Sequence, residues 1–77
     1  MDNLVSLSFS KRIYRLEIIK KGIHDYRSIC DIHMKEREFC FVCYFSNSKA
    51  DLTLTAHEFS NYIIELSNVW SGKLCLS

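Results

Sequence analysis

The chain reads as a small α+β domain in the order β-α-β-β-α, with a further short strand allowed at its end. That is a split βαβ arrangement, a ferredoxin-like-type two-layer sandwich with both helices on one sheet face. Three observations predict it. Residues 4–9 alternate, with Val5, Leu7 and Phe9 on one side and Ser6 and Ser8 on the other, the pattern of a half-buried strand. Residues 13–26 repeat at helical spacing, so Leu16, Ile19, Ile23 and Tyr26 share one face. Residues 39–45 are apolar on both faces, which asks for a central strand.

Each element then follows in order. The first helix is expected at about residues 14–27, with Glu17, Lys20, Lys21, His24 and Arg27 on its outer side. A second strand covers 29–35, where Cys30, Ile32 and Met34 alternate with Asp31, His33 and Lys35. A charged turn, Lys35-Glu36-Arg37-Glu38, leads into the third strand. That strand places Phe39, Phe41, Cys43 and Phe45 inward and Cys40, Val42 and Tyr44 on the second face. Thr55-Ala56-His57-Glu58 fits a capping box for the second helix, with Leu54 and Phe59 placed as a hydrophobic staple. Phe59, Tyr62, Ile63, Leu66 and Val69 form its buried stripe, and Ser71-Gly72 ends it. Residues 73–77 add an edge strand or fray. Setting the first strand beside the third makes the third central.

Composition narrows the function classes. Seventy-seven residues make one domain, 1–77. A net charge of +1 gives no global attraction to nucleic acid or membrane. Met1-Asp2-Asn3 lacks the basic start of a secretory signal, and no apolar run approaches spanning length. Four cysteines in that context read as reduced thiols of a cytoplasmic protein. With two glycines and no proline, no glycine-rich phosphate loop can be drawn.

The candidate chemistry is sparse. Cys40-Phe41-Val42-Cys43 is formally C-x-x-C, but on a strand positions i and i+3 point to opposite faces. Structural thiols are therefore expected, with no metal and no cofactor. His24, His33 and His57 have no nucleophile or carboxylate set beside them by a catalytic spacing, so no enzyme activity is expected. Arg12, Arg15, Lys20, Lys21 and Arg27 could contact phosphates. Glu17 and Asp25 interrupt them, which favours a solvated helix face and makes nucleic acid the weaker reading. If both helices cover one sheet face, Leu4, Cys40, Val42 and Tyr44 are left on the other. This face is read equally as a partner-binding or self-association surface and as a small patch diluted by Ser6, Ser8, Asp31 and His33.

The first helix also resembles the signature helix of the HxsD family, small proteins of the His-Xaa-Ser system. Family members show a pattern like I-Y-S-L-E-A-I-K-K-A-A-Y-R-F. It is matched here by Ile13, Tyr14, Leu16, Glu17, Ile19, Lys20 and Lys21, with Tyr26 at an aromatic position. Glu58-Phe59-Ser60-Asn61 is similar to the E-F-x-N opening of the family's second helix, so the likeness spans residues 5–66. Arg15 and Gly22 depart from the pattern, and the family's acidic, arginine-ending tail is not recognisable. The resemblance implies a genomic setting of radical-SAM enzymes and a ribosomally made peptide that they modify. It implies an accessory role, binding the peptide or the enzyme, and carries over no catalytic residues. The leading expectation is thus a non-catalytic adaptor. Its surface would be a strand edge or the face around Cys40, Val42 and Tyr44. A nucleic-acid module using the basic face of the first helix and a homodimer closing over Val42 and Tyr44 are the alternatives.

Overall fold

The computed structural model describes residues 4–76, and side chains over residues 4–69. The elements are β1 (Val5–Ser10), α1 (Leu16–Tyr26), β2 (Asp31–Glu36), β3 (Cys40–Ser46) and α2 (Leu52–Leu76). The sheet runs β1-β3-β2, with both outer strands antiparallel to β3. The doubly apolar strand is therefore central, as its composition requires.

Register sets the two faces. Leu7, Cys43 and Met34 lie side by side across the sheet, as do Val5, Phe45 and Ile32. These rows face the helices. Phe41, Cys43 and Phe45 from β3 are buried together with Phe9, Ile18, Ile19, Cys30, Ala56, Phe59 and Ile63. Phe59 is the centre of this core. Its ring meets Phe9, Tyr26 and Phe45 edge-on, at centroid distances of 6.0, 5.3 and 5.2 Å, the geometry that aromatic quadrupoles favour.

α1 starts at Leu16, two residues later than the periodicity suggests, because Ile13 and Tyr14 donate their N–H groups to the Ser10 carbonyl and form a turn. Its buried side is centred on Ile18, Ile19 and Gly22, with Leu16, Ile23 and Tyr26 only half-buried around it. Gly22 explains the shift. A Cβ there would lie 2.5 Å from Ile63 Cδ1 and 3.1 Å from the Phe59 ring. The helices cross at this point, and the missing side chain lets α1 settle onto α2 without displacing the Ile63 terminal methyl or the Phe59 ring. The clamp is completed at the surface, where the Tyr62 hydroxyl donates to Asp25 and Lys21 lies 3.3 Å from the same carboxylate. The phenol first, then Lys21, holds the Asp25 carboxyl below its ordinary range, and the same bond raises Tyr62.

Five expectations are corrected. Phe39 is not a core residue: it sits in the turn before β3 and is 75 % exposed. Thr55 is not the N-cap of α2. Asp51 caps it, its carboxylate accepting the Leu54 N–H at 2.9 Å, while Thr55 is buried one turn in and shares a hydrogen bond with Ser48 Oγ. Both residue types can cap, and the earlier start wins because the added turn buries Thr55 and Ala56. Leu54 is exposed, so no staple forms with Phe59, and Val69 is exposed rather than part of the stripe. Finally, α2 runs through Ser71-Gly72 to Leu76, so residues 73–76 continue the helix instead of forming a strand, and Ser77 lies outside the described residues. One glycine inside a helix costs about 1 kcal/mol relative to alanine, too little to force a stop.

Candidate partner-binding face

The two helices pack on one face of the sheet, and among the described residues nothing covers the other. On that face β3 contributes Cys40, Val42 and Tyr44, all half-buried, in a line down the middle. Tyr44 lies between Ser6 of β1 and His33 of β2, and Val42 lies between Ser8 and Lys35. Cys40 is opposite Ser10. At about 3.4 Å per residue the apolar line is about 14 Å long. The structure thus brings together the three residues singled out from the sequence and frames them with hydroxyls on one side and an imidazole and an ammonium on the other. Leu4 lies just ahead of β1 and is exposed. The arrangement is a shallow strip that can receive an apolar side chain or an extended segment by contact and hydrogen bonding.

The thiols separate by face. Cys43 is fully buried under the helices, and burial pushes its thiol up to about 12. Cys30 is buried too, and its thiol is raised by desolvation and then by Asp31. Cys40 is half-exposed on the open side. Cys40 and Cys43 therefore do not converge on one point. Among the described residues no group of three or more His, Cys, Asp or Glu side chains could hold a metal ion.

The basic residues are spread out. Arg12 is in the turn after β1, Arg15 precedes the first residue of α1, and Arg27 follows its last. Lys20 and Lys21 are exposed between them, Lys21 paired with Asp25. From Arg15 to Arg27 the helix rises about 18 Å. Lys11 is engaged elsewhere: its ammonium lies 2.7 Å from Glu36 and 5.3 Å from the centroid of the Phe41 ring, closing one end of the core.

Two features of the surface depend on strand order and were not read from the sequence. The turn after β1 and the β2–β3 turn meet at one end, where Lys11 N–H donates to the Phe39 carbonyl, and Ile13 and Phe39 are both strongly exposed there. The outer strands also differ. β2 (D-I-H-M-K-E) is charged and β1 (V-S-L-S-F-S) carries no charge. Once the order β1-β3-β2 is known, that contrast is visible in the letters.

Among the described residues no helix is long and apolar enough to cross a membrane. Comparison with protein-family models, with curated proteins and with solved structures returns no match in any of the three.

Proposed function

We propose that this chain is a non-catalytic accessory domain that docks a partner on the uncovered face of its sheet. Cys40, Val42 and Tyr44 form the apolar centre of the contact, and Ser6, Ser8, His33 and Lys35 form its polar rim. One observation carries the reading: the central strand is apolar on both faces, yet helices cover only one of them. An interface of this kind gains most from a buried aromatic, and Tyr44, at one end of the line on the central strand, supplies it. The resemblance of residues 13–26 to the HxsD helix supplies the setting. The partner is a ribosomally made peptide, or the radical-SAM enzyme that modifies it, in the cytoplasm. Docking needs no cofactor, and the chain's own residues contribute recognition alone.

The test is binding of the peptide encoded beside this gene, measured with the wild type and with Tyr44→Asp. The substitution is on the open face and leaves the core intact, so the variant should fold. It should bind at least about tenfold more weakly, the consequence of burying a carboxylate in an apolar contact. Equal affinity in a folded Tyr44→Asp variant would remove the face from the account. Absence of any radical-SAM gene nearby would remove the setting. Binding that falls steeply with salt and is lost on charge reversal at Lys20 and Lys21 would point instead to nucleic acid.

A further inference from the structure

We propose that β1 is a docking edge for a second copy of this chain, the two β1 strands pairing antiparallel about Leu7 to make one six-stranded sheet. Among the described residues β1 pairs with β3 on one side and with no strand on the other. Lys11 N–H donates to the Phe39 carbonyl at 3.0 Å, and the β1–β3 register continues in step through Phe9 with Phe41, Leu7 with Cys43 and Val5 with Phe45. Hydrogen-bonded pairs alternate along an antiparallel ladder. Val5, Leu7 and Phe9 therefore direct their backbone groups to β3. The N–H and C=O groups of Ser6 and Ser8 and the N–H of Ser10 point outward, while the Ser10 carbonyl already accepts from Ile13 and Tyr14.

Sheets guard such an edge with charge, proline or a bulge. The other edge is guarded: β2 carries Asp31, His33, Lys35 and Glu36. β1 has no charged residue and no proline, and its register with β3 is unbroken over all six residues. An uncharged edge of this length invites another strand.

The edge is complementary to itself. A two-fold axis through Leu7 sets Ser6 against Ser8 of the second copy, so their outward backbone groups pair reciprocally. Ser10 N–H meets the Leu4 carbonyl. On the helix side Val5 faces Phe9, a β-branched and aromatic pair, and Leu7 faces its own copy. No charge opposes another anywhere along the seam. The axis is normal to the sheet, which keeps both helix layers on the same side. α2 packs on β1. Tyr62 turns toward α1, through Asp25 and Tyr26, so Ser60 and Ile64, each about 200° around the helix from it, lie on the opposite flank. Ile64 is 41 % exposed, and a second α2 alongside would cover it. The pairing stands on the edge alone and does not depend on the partner proposed for the open face, which it would extend across two copies.

The experiment is sedimentation equilibrium of the full chain over micromolar to sub-millimolar concentration, with amide hydrogen exchange on the same samples. A mass approaching twice 9.1 kDa is expected, with Ser6 and Ser8 amides protected only at concentrations where the dimer forms. Ser6→Lys with Ser8→Lys sets like charges opposite each other on exposed positions, so the fold is kept. It should weaken the dimer by about tenfold or more. Mixing that variant with Ser6→Glu/Ser8→Glu should restore association. A chain that stays monomeric throughout, a dimer indifferent to the lysines, or Ser6 and Ser8 amides that exchange freely in the dimer would each overturn the proposal. So would a dimer abolished by Tyr44→Asp, which would place the contact on the open face.

Discussion

Phe59→Ala is expected to destabilise the fold by about 3–5 kcal/mol. The residue is fully buried and its ring holds Phe9, Tyr26 and Phe45 at once. Truncation removes those edge-on contacts and leaves a cavity where α1, α2 and the sheet meet. A domain of this size has total stability of the same order, so the variant should melt more than about 10 °C below the wild type or show no cooperative transition. Ile63→Ala should cost about 2–5 kcal/mol for the same reason. His57→Ala, exposed on the same helix, serves as the control and should stay within about 0.5 kcal/mol. A thermal melt in which Phe59→Ala and His57→Ala coincide would refute the core described above.

The helix crossing gives the second large effect. Gly22→Val should lose about 2–3 kcal/mol, because its Cβ already meets Ile63 Cδ1 at 2.5 Å and the Phe59 ring at 3.1 Å, and a branched side chain adds bulk to that crowded crossing. Gly22→Ala is the more informative change. It gains about 1 kcal/mol in helix propensity and must displace the Ile63 terminal methyl, 2.5 Å from the new Cβ. Ile63→Val deletes that methyl. Denaturant titrations of the two single variants and the double should therefore be non-additive, the double being more stable than the sum predicts by about 0.5 kcal/mol or more. Strict additivity would mean that the helices do not meet at Gly22.

Most of the fold was legible because it depends on local periodicity. The alternation in β1 and β2 and the doubly apolar β3 fixed both faces and the central position of β3. What failed involved choices between equivalent local signals. Asp51 and Thr55 both cap well, and only the burial of Thr55 against Ser48 decides between them. Phe39 continues the β3 alternation in the sequence, but the β2–β3 turn already holds it, with Arg37 N–H donating to the Cys40 carbonyl. Gly22 departs from the family pattern in the sequence, and its reason lies in Phe59 and Ile63, about forty residues away. The candidate face was legible from the alternation of β3. The edge was legible only in part: a central β3 already puts β1 outermost, but the sequence also allowed residues 73–77 to add a strand, and only the continuation of α2 to Leu76 removes that option.

The claim beneath the proposed function is that one face of the sheet is covered and the other open. Cys40 and Cys43 test it directly, because they lie three residues apart on the same strand and on opposite faces. In native buffer, a small thiol reagent followed by fragment-ion mass spectrometry should modify Cys40 rapidly. Cys43, fully buried with its thiol raised to about 12, should react only as the protein unfolds and should become reactive in step with the denaturant transition. Equal native rates at the two positions, or a Cys40 as protected as Cys43 in the monomer, would contradict the account.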